Sequence, residues 1–313
     1  MTDISVIILV GNEALHIRRC LEKLAPLEPR QIIVVESQKG DATHEIVEGA
    51  KGELQTLNIK LQTVWHDWPG LYARQFNWAL DNLPIESKWV LRLDADEYLT
   101  EETIEKLRGA IGSSRPTDEF GVRGAPALPL GGESKNEPPL STSTSSSTSL
   151  PEDVTGLNIE LKRRFCGGEI RHATTGIRQA RIFRYGIGRC EDRAMDEHII
   201  LSSGRMIDFD GAFYDDNLNT MDWWREKHHG YAKREAADAI AFERGEIHFK
   251  PMKEKYYRMP RYFRAFAYFC IRYFLKGGIL DGYAGWMWNF WQGLWYRLLV
   301  DREIGRLRRE VKG

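Results

Sequence analysis

Cysteine is scarce: Cys20, Cys166, Cys190 and Cys270 are the only four in 313 residues, and no two form a CxxC pair. That spacing excludes a disulfide framework or a zinc module and fits a reducing compartment. Excess charge of one sign is lacking too, with 44 Lys+Arg against 45 Asp+Glu and a formal net charge of −1. Without a global positive field, no nucleic-acid partner is expected. The opening residues, MTDISVIILVGNEALHIRR, have neither the basic start nor the small-residue cleavage site of a signal peptide. No run reaches the roughly 18 uncharged apolar residues of a spanning helix, so a cytosolic protein is expected. Apolar residues, by contrast, are ample at 42%, enough for a real core.

The first 110 residues alternate between two patterns. Ser5–Val10, Gln31–Glu36, Lys60–Trp65 and Trp89–Leu93 read as short apolar strands. Glu13–Leu24, Ala42–Ala50, Leu71–Asn82 and Glu101–Ile111 have helical spacing. Such alternation predicts an α/β fold with a mostly parallel sheet and flanking helices, whose ligands bind beyond the carboxyl ends of the strands. Four segments follow: a nucleotide-binding half over 1–123, a low-complexity loop over 124–153, a second half over 154–250, and an aromatic-rich helical extension over 251–313. The loop contains nine consecutive Ser/Thr residues, Ser141–Ser149, and its composition predicts disorder. Strands separated by glycine turns are expected after residue 157, then a helix over Met221–Phe242.

The segment WVLRLDADEYL carries the most chemistry. Asp94 and Asp96 close an apolar strand, where two carboxylates repel each other unless a hard cation such as Mg²⁺ or Mn²⁺ bridges them to phosphate oxygens. The alternative is a solvated turn, with Glu97 opening the next helix. Strand one ends in Gly11, Asn12 and Glu13 at a helix start, where free amides can hold a ligand. Strand two ends in Glu36, with Asp41 downstream as a ligand contact or, more simply, a helix N-cap. Trp68 and Gly70 form a turn after strand three. Arg74 and Asn77 follow on nearly one face of the next helix, Arg74 meeting either phosphate or solvent.

Taken together, SVIILVGNEALHIRRCL, IIVVESQKGDAT, W-x-G-x-x-x-x-R-Q-x-N-x-A-L and WVLRLDADE resemble the nucleotide-sugar domain of glycosyltransferase family 2. The likeness is nearest to bacterial lipopolysaccharide-core and exopolysaccharide glycosyltransferases. The resemblance implies a GT-A fold and a nucleoside-diphosphate sugar donor, usually UDP-linked. Asn12, Glu13, Glu36 and Asp94 would contact the nucleoside, and Asp96 would hold the metal. This chain departs from the family in having Glu36 and QKGD where Asp and a VVDSGSTD pattern are usual.

A second acidic cluster, RIFRYGIGRCEDRAMDEHI, offers a base to take the acceptor's proton in an inverting transfer. The spacing of its RIFR stretch in similar enzymes favours Asp196 and Glu197; a Glu-Asp-Arg reading points instead to Glu191, Asp192 and Arg193. Arg181, Arg184 and, further upstream, His172 are candidates for acceptor or phosphate contacts. His228 and His229 lack ligands at zinc spacing and read as helix-surface residues.

Between Tyr256 and Tyr296 about 40% of positions are aromatic. On a helical wheel at about 100° per residue, Arg258, Arg261, Arg264, Arg272 and Lys276 share one sector of about 120°. That is the pattern of a helix lying in a membrane interface, and the following Trp-rich segment suits headgroups. The expectation is an inverting, metal-dependent enzyme, peripheral on the cytoplasmic face of the inner membrane, adding one sugar to a lipid-linked saccharide in lipopolysaccharide-core or exopolysaccharide synthesis. A nucleotidyltransferase, which would normally show a Gly-rich phosphate loop after strand one, and a non-catalytic sugar-nucleotide-binding protein are the alternatives.

Overall fold

The structure, a computed structural model, describes residues 1–112, 150–173, 176–192 and 198–310. The low-complexity loop up to residue 149 and the Asp196/Glu197 pair lie outside the described residues.

The chain opens with β1 (Thr2–Val10), α1 (Ile17–Leu24), β2 (Pro29–Glu36), α2 (Thr43–Thr56), β3 (Lys60–Trp65), α3 (Tyr72–Asn82), β4 (Trp89–Asp94), β5 (Glu97–Leu99) and α4 (Glu101–Ala110). All nine residues of β1 are buried, as a central strand covered on both faces requires. It pairs in parallel with β2 and with β4, and β2 pairs in parallel with β3. The N-cap of α4 is Thr100, whose hydroxyl accepts from the Thr103 amide. Glu97 therefore does not open that helix, as one reading of the sequence had it; it belongs to a short buried strand.

Then come β6 (Val154–Phe165), β7 (Gly168–Ile170), β8 (Arg178–Arg184), β9 (Gly188–Cys190), β10 (Ile199–Leu201) and β11 (Arg205–Asp216). The main sheet runs β3-β2-β1-β4-β8-β6-β11-β5, with β7 paired to β6; β9 and β10 form a separate ribbon. Strand β8 is antiparallel to β4, so the sheet is parallel on one side and mixed on the other.

Two compact units result: residues 1–159 with 178–211, and residues 160–177 with 212–313. Two of the divisions fall inside β6 and β11. In unit one, Ile7, Leu9, Ile33 and Val35 pack with Phe76 and Ala79 of α3.

Unit two holds α5 (Met221–Glu243), α6 (Pro251–Arg258), α7 (Phe263–Cys270), α8 (Gly282–Trp288) and α9 (Tyr296–Glu310). Wider π-helical turns continue α7 over Ile271–Leu275 and join α8 to α9 over Asn289–Trp295. Ala232, Ala236 and Ala239 of α5 let α9 approach closely through Leu299, Val300 and Ile304. The carboxylate of Glu235 is buried there, accepting from Tyr257 (2.7 Å), Tyr296 (2.6 Å) and Arg297 (2.7 Å).

The single cationic helix expected after Tyr256 is not found. Met259 is extended before Pro260, and Tyr262 has a positive φ, so Arg258 lies on a different helix from Arg264. The side chains are also inverted relative to a polar outer face. Arg264 and Arg272 are buried, while Phe263, Phe266 and Phe274 are exposed. Arg264 turns inward because Asp301, itself fully buried, receives its Nε at 2.8 Å. His228 is half-buried on its helix. It stacks on Trp224 at 3.5 Å, and its Nδ1 lies 2.8 Å from the Trp224 carbonyl oxygen.

Candidate active site

Register sets the site out along one sheet edge. Leu9 pairs with Asp94, Val10 with Glu36, and Glu36 with Trp65. The ends of β3, β2, β1 and β4 thus line up, and the two strand spacings from β2 to β4 make roughly 10 Å, the scale of a nucleoside.

The loops after β1 and β2 are laced together. Asn12, with φ of 62°, donates through Nδ2 to Gln38 (2.8 Å) and accepts the Gly40 amide (2.8 Å). A Cβ on Gly40 would lie 2.7 Å from Asn12 Oδ1, so glycine is needed here for close approach. Asp41 accepts from the Ala14 amide (2.9 Å), the Thr43 amide (3.0 Å) and the Thr43 hydroxyl. Burial alone would raise its pKa, but these donors bring it below the usual carboxylate range. Thr43 in turn accepts the Glu13 amide at 2.7 Å, while the Glu13 carboxylate lies 2.6 Å from His16 Nδ1. The N-cap of α2 is Ala42, without a side-chain cap, so Asp41, expected to be the cap, stands one residue before it and ties the Ala14 and Thr43 amides together.

Glu36 is buried, and its two oxygens lie 2.9 and 3.2 Å from His44 Nδ1. The hydrogen bond to Glu36 is the first cause that raises the His44 pKa. His44 was not singled out in the sequence, because eight residues of separation across a loop carry no periodic signal.

At the end of β4, Asp94 Oδ1 is buried and has no hydrogen-bond partner. Glu97 Oε2 accepts the Asp94 amide at 3.0 Å, and Glu97 Oε1 pairs with Arg181 at 2.5 Å. Glu97 is 5% exposed. Burial, Arg181 opposing and Asp94 and Asp96 adding, pushes its pKa up to about 8. Three acids within four residues, one holding an unpartnered oxygen, make a surplus of oxygen donors suited to a hard divalent cation. Among the described residues, no group of three or more His, Cys, Asp or Glu side chains is arranged to hold a metal.

Arg74 reaches the second acidic cluster. Its Nε and Nη2 donate to Asp192 at 3.1 and 3.2 Å, with both side chains more than half exposed. Asn77, on the same helix, pairs through both polar atoms with the Cys190 backbone (2.8 and 3.0 Å). Together they tie α3 to the Cys190–Asp192 segment. Trp68 is exposed and meets Tyr72 edge-on at 4.8 Å, and Gly70 adopts a φ of 88°.

One predicted contact is not brought to this edge. Arg184 pairs in register with Trp89, the first residue of β4, and donates to the Val154 carbonyl (3.1 Å). It sits at the opposite end of the strand from Asp94. His172 belongs to unit two, where its Nδ1 lies 2.6 Å from Asp281.

Residues 5–153 match the glycosyl transferase family 2 model. The matched segment is just under half of the chain. Every laced loop and both Asp94 and Asp96 fall inside it. The mixed α/β sheet with flanking helices, and the helical aromatic-rich C-terminal region, are the fold expected of such a chain. No curated protein matches the chain. Among solved structures, Staphylococcus aureus TarS 1–349 in complex with UDP-GlcNAc is similar at 28% identity over 33% of this chain and 29% of that one, TM-score 0.27. The mannosyltransferase PcManGT of Pyrobaculum calidifontis, in complex with GDP-Man and Mn²⁺, is 14% identical over 97% of this chain and 87% of that one, TM-score 0.47. The matched region spans between 18% and 39% of the TarS chains. The family-model match over residues 5–153, not these partial similarities, points to glycosyl transferase family 2.

Proposed function

We propose that the protein is an inverting glycosyltransferase that moves one sugar from a nucleoside-diphosphate donor, a UDP-hexose on the family resemblance, to a lipid-linked saccharide in lipopolysaccharide-core or exopolysaccharide synthesis. The observation that carries this reading is the carboxylate pair at the end of β4 in a segment that matches family 2, with Asp94 Oδ1 buried and unpartnered.

Asp94 and Asp96 would hold Mg²⁺ or Mn²⁺, which neutralises the departing diphosphate. Glu36, held by His44, and the laced Asn12–Gly40 loops would bind the nucleoside. Arg74, which pairs with Asp192, would turn to phosphate. The carboxylate that takes the acceptor's proton would come from the acidic cluster, either Asp192 or the Asp196/Glu197 pair.

A membrane-borne acceptor fits unit two. Phe263, Phe266, Phe274, Leu275, Leu280 and Tyr283 are all more than half exposed on one stretch of chain, and exposed apolar groups of this density mark an interaction surface. Among the described residues no helix is long and apolar enough to cross a membrane. Peripheral docking on the cytoplasmic face of the inner membrane suits both facts.

The deciding experiment measures Mn²⁺-dependent binding and slow hydrolysis of UDP-, GDP- and dTDP-sugars, with Asp96→Ala alongside. Metal-dependent turnover of one donor, reduced ~100-fold or more in Asp96→Ala, is expected. Absence of any donor binding, with or without metal, would sink the proposal. Binding without turnover would favour the non-catalytic alternative.

A further inference from the structure

The end of β2 carries a histidine that lies outside every motif read from the sequence. Glu36 closes the strand with only 3% of its surface exposed, and both of its oxygens face His44 Nδ1, at 2.9 and 3.2 Å. A carboxylate only accepts hydrogen bonds, so the proton of this contact sits on Nδ1. His44 itself stands on the first turn of α2 with 57% of its side chain exposed. Its other ring nitrogen, Nε2, makes no hydrogen bond among the described residues. A ligand arriving at the end of β2 therefore meets the imidazole before it meets the buried carboxylate.

The surroundings favour the charged ring. Glu36 faces it from β2, and Glu45 and Glu48 act on it from α2. Glu48 is shared with Lys51 of the same helix and with the Thr63 hydroxyl of β3. Lys39, in the loop after β2, is held 4.4 Å from the centre of the Trp65 ring, and Asp67 accepts from Trp65 Nε1 at 3.0 Å. The hydrogen bond to Glu36, followed by the charge of Glu36, raises the His44 pKa above its ordinary value. With Nδ1–H committed to Glu36, the imidazolium presents Nε2–H outward as a donor. The neutral ring presents a lone pair there instead.

Position along the sheet edge indicates which part of a donor lies nearby. Asp94 and Asp96, at the end of β4, take the diphosphate in the reading given above. The end of β2 is two strand spacings away, roughly 10 Å, which is the length of a nucleoside, so the base and not the phosphate belongs beside His44. Trp65 pairs in register with Glu36, so the two side chains share a face of the sheet. Trp65 is 41% exposed and offers a flat ring on which a base can stack. A donor beside that ring needs an acceptor in the plane of the base. Uracil, thymine and guanine each carry such a ring carbonyl; adenine carries none.

We infer that His44, oriented by Glu36, reads the base of the donor, its imidazolium Nε2–H donating to a ring carbonyl oxygen. Glu36 is then a positioning residue behind His44. The inference rests on the nucleoside-diphosphate-sugar reading given above and names the residue that recognises the base. The contact is made while His44 is protonated and is lost as the pH rises through its pKa.

The test is calorimetric titration of the full chain with UDP-glucose and GDP-mannose in Mg²⁺, from about pH 6 to about pH 8.5, a window centred on histidine titration. The diphosphate of a sugar nucleotide does not itself titrate there. Affinity for the tighter-binding donor should fall roughly five- to tenfold across the window. His44→Gln should bind with a flatter profile, near the weak high-pH affinity of the wild type. Glu36→Gln should move the decline to lower pH, because the carboxylate that favours the imidazolium is gone. Coincident profiles for the wild type and His44→Gln would overturn the inference and leave the donor reading intact. ADP-glucose should bind weakly and without the His44-dependent decline. The same decline with ADP-glucose would place the contact on ribose or phosphate and overturn the assignment to the base. If neither UDP-glucose nor GDP-mannose binds the wild type, the donor reading falls and this inference with it.

Discussion

At the scale of single residues, much of the candidate active site consists of polar groups whose partners are backbone atoms of another loop. Asn77 is the plainest case. Asn77→Ala removes two hydrogen bonds to the Cys190 backbone. A loss of ~1–3 kcal/mol in unfolding free energy is expected, measured by urea titration with the slope unchanged. Gly40→Ala acts through sterics instead. The new Cβ meets Asn12 Oδ1 at 2.7 Å, so the loops after β1 and β2 must part. Donor affinity should fall several-fold in calorimetric titration while Tm changes little, since this stretch is largely exposed. An unchanged affinity would show that these loops do not shape the nucleoside pocket.

At the scale of elements, α5 half-buries a histidine that the sequence assigns to the helix surface. His228 on α5 is enclosed by Trp224, Tyr231 and Tyr296, and burial, the first cause, lowers its pKa from 6.5 to about 4. The unfolded chain therefore binds a proton near pH 6.5 that the folded chain does not bind until about pH 4. Stability is full above pH 6.5 and declines as the pH falls from there toward 4. Thermal denaturation across that window should show a decline in Tm that is smaller in His228→Gln; identical pH profiles would refute the assignment. The α7 region shows the opposite error of the wheel. Arginine was placed outward by its polarity, yet Asp301 and the Tyr256 and Tyr257 rings turn Arg264 inward.

At the scale of the whole molecule, each compact unit has its own character: the carboxylate-lined strand ends of a segment that matches family 2 in the first, an aromatic, exposed surface in the second. Paired substitution of Phe274→Ser and Leu275→Ser, two side chains that contribute little to the core, should reduce co-sedimentation with anionic vesicles at least several-fold. Tm and soluble-donor hydrolysis should be preserved. Retained vesicle binding would mean that this surface meets something other than a bilayer.

The parallel half of the sheet was legible in the sequence because burial on both faces demands unbroken apolar runs such as SVIILV and QIIVVE, and helices between them demand 3.6-residue spacing. Lys60–Trp65 was placed to the residue, and the carboxylates of WVLRLDADE were found because charge at the end of a buried strand is costly without a ligand. What only the tertiary structure decided are the pairings across long stretches of chain. His44 with Glu36, Arg181 with Glu97, Arg74 with Asp192 and Asn77 with Cys190 have no periodicity of their own. They arise where separate loops converge at one sheet edge. The inward turn of Arg264 belongs to the same class: a local pattern records polarity, but the partner that makes burial of a cation tolerable, Asp301 here, is set by another part of the chain.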